Sequence, residues 1–289
     1  MDRSLAWLSA EPIALLLLTG ALGLIVGSFL NVVIHRLPVM LRRTWQADCA
    51  EAVGAPPPAP GEAYNLLRPR SRCPHCGAAI LAWQNIPLLS YLVLGGRCRS
   101  CGARISPRYP LVEALTAVLS VAVAWRFGAS WQMVGALALT WTLIPLAFID
   151  LDEQILPDVI TLPALWLGLA LNLGGLFVPI EASVIGAITG YGFLWTVYHL
   201  FRLLTGKEGM GYGDFKLLGM LGAWLGWQAL PTIVLLASVV GASVGITLVL
   251  LRGHDRNVPI PFGPYLAAGG WAALLWGGDL TRAYLGAVA

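Results

Sequence analysis

Charge is what this sequence has least of. Only 11% of its 289 residues are Asp, Glu, Lys or Arg, whereas 57% are hydrophobic; ordinary soluble domains carry about 25% charged residues. That shortage excludes a soluble globular domain and points to a chain that crosses a membrane several times. A net charge of +3 is too small to argue for nucleic acid as a partner. Nucleotide fingerprints are missing too. The glycines between 209 and 213 are followed by no Gly-Lys-Ser/Thr and preceded by no strand pattern, so they form neither a P-loop nor a dinucleotide fold. The first apolar run, 12 to 34, has Glu11 before it and no A-x-A site after it. It is expected to be a retained span, because a signal peptide has a shorter apolar core and a small-residue cleavage site.

What the chain has instead is a series of apolar runs. Stretches long enough to cross a hydrocarbon core, about 17 to 25 residues, fall near 12–34, 110–126, 131–149, 158–178, 182–203, 215–229, 231–251 and 261–279. The expected fold is therefore an all-α polytopic membrane protein of about eight transmembrane helices. Gly219, Gly222 and Gly226 make the boundaries of the sixth run the least certain, and suit close helix packing. Fifteen of the 18 Lys and Arg residues fall in alternate loops: Arg36, Arg42, Arg43, Arg68, Arg70, Arg72, Arg97, Arg99, Arg104, Arg108, Arg202, Lys207, Lys216, Arg252 and Arg256. Only Arg3, Arg126 and Arg282 lie on the other side. Positive charge stays inside, so both termini are expected outside and the 36–108 loop in the cytoplasm.

Within that loop lies a Pro-rich spacer, Ala55-Pro56-Pro57-Pro58-Ala59-Pro60-Gly61, which has no packing demand. Beyond it come Cys73-Pro74-His75-Cys76-Gly77 and Cys98-Arg99-Ser100-Cys101-Gly102. Each C-x-x-C grips one metal ion through two thiolates, and the following glycine permits the tight turn. Disulfides rarely persist in the cytoplasm, which favours a tetrahedral zinc site over two bridges. A pair of redox dithiols is the alternative, but no thioredoxin-like βαβ pattern surrounds them. Cys49 is left over as a spare thiol. The expected division is 1–35 as a first transmembrane helix, 36–109 as a cytoplasmic zinc-binding domain with a Pro-rich insertion, and 110–289 as a core of seven helices.

Two acidic stretches end or begin apolar runs: Phe148-Ile149-Asp150-Leu151-Asp152-Glu153, and Gly209-Met210-Gly211-Tyr212-Gly213-Asp214-Phe215-Lys216. With the topology above, the third run reaches the cytoplasmic face at Asp150 and the sixth leaves the same face at Asp214. Ionisable groups at membrane depth are costly and functional. With no nucleophilic Ser or Cys and no metal-binding His pair nearby, two acids suggest an aspartyl dyad sharing one proton. Asp152 and Glu153 read as loop acids pairing with Lys207, Lys216 or Arg202, and Asp158, after Pro157, as a helix N-cap. His35, His199 and His254 stand far apart near span ends and read as interfacial residues, and Asn31 as a buried helix contact. A transporter using Asp150 and Asp214 as a proton relay is the reading from another class; the absence of inverted repeats with broken mid-membrane helices counts against it.

At these residues the chain resembles the type IV prepilin peptidases, membrane aspartyl proteases of the Gly-x-Gly-Asp type. The resemblance rests on Gly27-Ser28-Phe29-Leu30-Asn31-Val32-Val33-Ile34-His35-Arg36-Leu37-Pro38, on the paired cysteine motifs running to Ser106-Pro107-Arg108-Tyr109-Pro110, on Phe148-Ile149-Asp150 with Leu156-Pro157-Asp158 and Thr161, and on Gly209 to Leu217. Gly-x-Gly-Asp alone is shared with presenilin-like proteases of other substrates; the N-terminal motif and the cysteines make the match specific. It implies Asp150 and Asp214 as the catalytic pair, a choice over Asp152 and Asp158 that spacing does not make, and zinc held by Cys73, Cys76, Cys98 and Cys101. It further implies prepilins and type II secretion pseudopilins as substrates, cleaved at the cytoplasmic face of a bacterial inner membrane. Cysteine-bearing members also methylate the new N-terminus with S-adenosylmethionine. Gly95 and Gly96 are candidate contacts for that cofactor, and Gly211, Gly213 and Lys216 for the substrate.

Overall fold

The computed structural model describes residues 11–55, 63–81, 86–252 and 260–288. Arg3, most of the Pro-rich spacer, His254 and Arg256 lie outside the described residues. Two compact units divide the chain, Met1–Ala129 and Ser130–Ala289. Every regular element among the described residues is a helix; turns and two isolated antiparallel bridges lie in the stretch between Ala52 and Arg108, with no strand.

The first unit contains α1 (Pro12–Ala52), a short α2 (Leu89–Val93) and α3 (Arg108–Phe127). α1 begins with a proline in its first turn, where a missing N–H costs nothing. It does not stop near residue 35. Good helix formers between Met40 and Glu51 carry it through Pro38 to Ala52, so its second half extends well beyond a single bilayer crossing. α1 packs on α3. At Gly27 the approach is backbone to backbone, since a Cβ there would lie 2.8 Å from Glu113 Cα; small residues allow such contacts between membrane helices. Asn31 donates from Nδ2 to Tyr109 O at 3.0 Å, the helix contact expected of it.

The second unit is α4 (Trp131–Glu153), α5 (Asp158–Asn172), α6 (Ile180–Thr205), α7 (Tyr212–Leu225), α8 (Leu230–Arg252) and α9 (Gly263–Val288). α7 is the centre of it. From Asp214 to Trp224 every side chain except Lys216 is buried, because α5, α6, α8 and α9 all pack on it. A helix that is apolar all round belongs in an interior. Gly186 of α6 meets Gly222 of α7 backbone to backbone. At the far end of α7, Trp224 donates from Nε1 to Ala164 O at 2.8 Å. Asn172 donates to Ala223 O and Trp224 O at 2.9 and 3.1 Å, satisfying carbonyls that a helix end leaves open.

Helices occupy all eight expected positions. Among the described residues five segments are long and apolar enough to cross a membrane: Pro12–Ala52, Arg108–Phe127, Trp131–Glu153, Ile180–Thr205 and Trp227–Leu248. Their large exposed side chains, Ile13, Leu17, Val118, Ile188 and Val239 among them, would be an aggregation hazard in water and suit contact with lipid.

Candidate active site and metal centre

Asp150 lies in the last turn of α4. The helix closes at Gln154, whose left-handed backbone (φ 54, ψ 37) returns an N–H to Asp150 O. Asp150 Oδ2 accepts the N–H of Gly263 at 3.0 Å. Gly263 is the first residue of α9, where N–H groups have no partner within the helix, so the start of one helix holds the acid at the end of another. A Cβ at 263 would stand 2.6 Å from Asp150 Oδ2, so any side chain there must displace the carboxylate or the helix start.

Asp214 sits in the first turn of α7, with its N–H on Gly211 O at 3.2 Å. Both acids are buried, Asp150 at 6% and Asp214 at 7% exposure. They are close enough for the Asp150 charge to act on Asp214. Leu156 wedges beside them: its Cβ would lie 2.8 Å from a Cβ at Gly213, and its Cδ1 3.2 Å from one at Gly263. Asp214 Oδ1 is buried with no hydrogen-bond partner among the described residues. A buried acceptor left open is unusual and calls for an explanation such as catalysis or an ordered water. Two close carboxylates cannot both ionise cheaply, so the arrangement suits a shared proton and a bound water.

The neighbouring acids behave differently. Asp158 is not a cap. Pro157 occupies the cap position, and Asp158, the first helical residue, pairs with Lys216, whose Nζ lies 2.8 and 2.7 Å from its two oxygens. Asp152 is exposed and Glu153 half-buried. Arg202 pairs with Glu208 at 3.7 Å. His199 lies tilted against Trp195 at 4.3 Å and edge-on to Tyr198 at 5.1 Å between ring centres. Sequence reasoning missed the Gly263 donor and Leu156; the Pro-Phe-Gly-Pro run at 261–264, a glycine and proline opening an apolar stretch, was the available signal.

In the first unit, Cys73, Cys76, Cys98 and Cys101 bring their four Sγ atoms within 4.8 Å of one another. Cys73 and Cys101 are 3.8 Å apart, the edge of a sulfur tetrahedron with bonds of about 2.3 Å to zinc. The two knuckles repeat one hydrogen-bond scheme. Gly77 and Gly102 each return an N–H at 2.9 Å to the carbonyl of the first cysteine, Cys73 and Cys98. Backbone N–H groups of Cys101 and Ser100 lower the Cys98 thiol pKa to about 6, favouring the thiolate that binds metal, while burial and the three neighbouring sulfurs push Cys101 up to about 11. Between residues 63 and 107 only Cys73 and Gly96 are buried among the described residues. A segment with so little core needs a staple, and a four-thiolate metal site supplies one. His75 is exposed between two of the ligands, and four sulfurs leave it no vacancy.

Beside the second knuckle lies a cavity of about 580 Å³ lined by Tyr91, Gly95, Gly96, Arg97, Arg104, Ile105, Ser106 and Pro107. Gly95 and Gly96 take φ of 58° and 66°, a region side chains disfavour. The volume is within the range of small-molecule sites.

Fold and site together define a polytopic helical membrane protein with a buried pair of acids and a separate four-cysteine cluster. Comparison with known proteins agrees unit by unit. The bacterial peptidase A24 N-terminal domain model matches residues 21–127, and the type IV leader peptidase family model matches 137–246. A prepilin leader peptidase/N-methyltransferase of Pseudomonas aeruginosa is 57% identical over 281 residues, 97% of each chain. Proteins of the same description are 61% identical in Aeromonas hydrophila, over 91% of each chain, and 53% identical in Burkholderia pseudomallei, over 89% of this chain and 84% of that one. No solved structure matches. The chain belongs to the type IV leader peptidase family.

Proposed function

We propose that this chain is a bifunctional membrane enzyme that cleaves the leader from prepilins and methylates the N-terminus so exposed. The observation that carries the peptidase half is the buried pair Asp150 and Asp214, one oxygen held by the Gly263 N–H and another left without a partner. In this reading both acids are catalytic. The ionised carboxylate takes a proton from water as the water oxygen attacks the scissile carbonyl carbon, and the protonated one gives its proton to the carbonyl oxygen. Return of a proton to the amide nitrogen then breaks the C–N bond and regenerates the dyad. Gly211, with open space beside it next to Asp214, leaves room for an extended substrate backbone, Gly213 gives its space to Leu156 and so acts by packing, and Lys216 is assigned to the rim of the site.

The substrates in this reading are type IV prepilins and type II secretion pseudopilins, presented from the lipid bilayer with a basic leader ending in glycine. The topology that goes with it has both termini in the periplasm and the dyad at the cytoplasmic face of the inner membrane, as the Lys and Arg asymmetry supports.

For the methyltransferase half, the 580 Å³ cavity is assigned to S-adenosylmethionine. That cofactor, when bound, supplies an electrophilic methyl group on a sulfonium. Arg97 and Arg104 carry guanidinium groups suited to a carboxylate, and Gly95 and Gly96 let the backbone approach closely. The four cysteines hold zinc in a structural role, with the second knuckle set between the two arginines.

Purified enzyme incubated with a prepilin and S-adenosylmethionine, read by mass spectrometry, tests both halves at once. The expected product has lost its leader after glycine and gained one methyl group. An intact prepilin under these conditions would overturn the peptidase assignment, and a cleaved but unmethylated product the transferase assignment.

A further inference from the structure

Glu113 is a carboxylate that neither the dyad nor the cysteine cluster uses. It stands in the second turn of α3 at 9% exposure. Its Oε2 accepts the N–H of Leu88 at 2.9 Å, and the side chain is also hydrogen-bonded by Ser28 of α1. An acid inside a membrane-spanning helix is costly enough that a function is the default expectation. Gly27 explains how Ser28 reaches it, since α1 meets α3 at Glu113 Cα with no room for a Cβ. Gly27 and Ser28, singled out in the sequence without a role, thus build one side of the Glu113 site.

The other side of that site is Leu88. It is the cap residue of α2 and takes φ 56, ψ −47, a conformation rare for any residue with a Cβ. Such backbone persists only where its surroundings hold it, and the acceptor for its N–H is Glu113. From Leu88 a chain of bonds runs to the cavity. Leu92 N–H donates to Leu88 O at 3.0 Å, Gly95 N–H to Leu92 O at 3.2 Å, and Gly96 N–H to Tyr91 O at 2.9 Å. Tyr91, Gly95 and Gly96 form one wall of the cavity.

We propose that Glu113 is the positioning residue of the methyl-donor cavity: it pins Leu88, Leu88 sets the start of α2, and α2 sets the Tyr91–Gly96 wall. The inference rests on the assignment of that cavity to the donor. Glu113 does not touch the donor, and its loss acts on affinity for it through the wall.

Full-length enzyme in lipid nanodiscs, supplied with S-adenosylmethionine and either a prepilin or an already cleaved pilin, tests this. Glu113→Ala is expected to raise the KM for S-adenosylmethionine by about tenfold or more, the scale of a lost hydrogen bond to a charged group. Leader cleavage should be unchanged, and deuterium uptake should accelerate in peptides covering residues 86–96. Glu113→Gln keeps an oxygen for the Leu88 N–H and should restore both KM and protection. A wild-type KM in Glu113→Ala would overturn the proposal, and so would equal losses of cleavage and methylation, which mark a general packing role. Ser106→Trp, which adds a large side chain at a residue lining the cavity, separates the two assignments. If Ser106→Trp loses methylation while Glu113→Ala keeps it, the cavity stands and Glu113 alone is refuted. If Ser106→Trp methylates normally, the donor binds elsewhere and the proposal falls with the cavity.

Discussion

The two units hold their chemistry by opposite means. In Ser130–Ala289 the acids are fixed by packing: α7 is enclosed by its neighbours, Leu156 fills the space beside Gly213 and Gly263, and one backbone N–H completes Asp150. In Met1–Ala129 the cluster and the cavity are built from turns with almost no buried side chains, Gly77, Gly95, Gly96 and Gly102 all having positive φ. A site made by packing tolerates no added atom but needs no ligand to form. A site made by turns tolerates sequence change around it but depends on its staple.

The sharpest way to break this comparison is to remove one acid. Asp150→Asn and Asp214→Asn should each reduce leader cleavage by about 10²- to 10⁴-fold, the usual contribution of a positioned acid or base. Methylation of an already cleaved pilin should be untouched. Cleavage retained in either variant would remove that residue from the dyad, and methylation lost in both would deny that the units work separately.

Next in size is loss of the metal. Elemental analysis should find about one zinc per chain. Chelation, or Cys73→Ser, should loosen residues 63–107 to protease and reduce methylation by at least about tenfold, because ligand loss in such sites removes folding energy outright. Cleavage should fall much less. A reduced, metal-free enzyme with full methyltransferase activity would show that the turns stand without their staple.

Gly263→Ala probes the packed site with one methyl group. A Cβ 2.6 Å from Asp150 Oδ2 must push the carboxylate or α9 aside, and a displacement on the order of 1 Å costs roughly 10²-fold in rate. The effect should appear in kcat for cleavage and leave methylation alone. Normal cleavage would mean that the Gly263 contact does not position Asp150.

Much of this was legible in the sequence, for identifiable reasons. A helix stands at each of the eight apolar runs, because long apolar runs in such a chain fold as helices, and five of them are long and apolar enough to cross a membrane among the described residues. The cysteine cluster was legible because ligand spacing is short and local. Charge asymmetry led to the expectation that the two acids share one end of the helices, and in the fold they lie close enough to interact. The end of α1 was not legible, because the apolar run and the helix stop at different places: polar residues after Pro38 are as good at forming helix as the leucines before it. Gly263, Leu156 and Glu113 were hidden because each acts through a contact distant in sequence, Gly263 to Asp150 being 113 residues. A glycine chosen for the space it leaves looks the same in sequence as one chosen for a turn.

Asp158 and Lys216 give the smallest effect and the finest test. The sequence put Asp158 at a cap and Lys216 beside the substrate; in the fold they hold each other, with side chains 51% and 30% exposed. A pair so exposed stabilises by no more than about 1 kcal/mol, so Asp158→Asn should scarcely change the melting temperature. Its effect on cleavage decides what Lys216 does. If the pair only ties α5 to α7, the double exchange Asp158→Lys with Lys216→Asp restores the attraction and should restore kcat/KM as well. If Lys216 also contacts substrate at the rim of the dyad, the exchange recovers stability but leaves KM raised, because the positive charge now stands on the wrong helix.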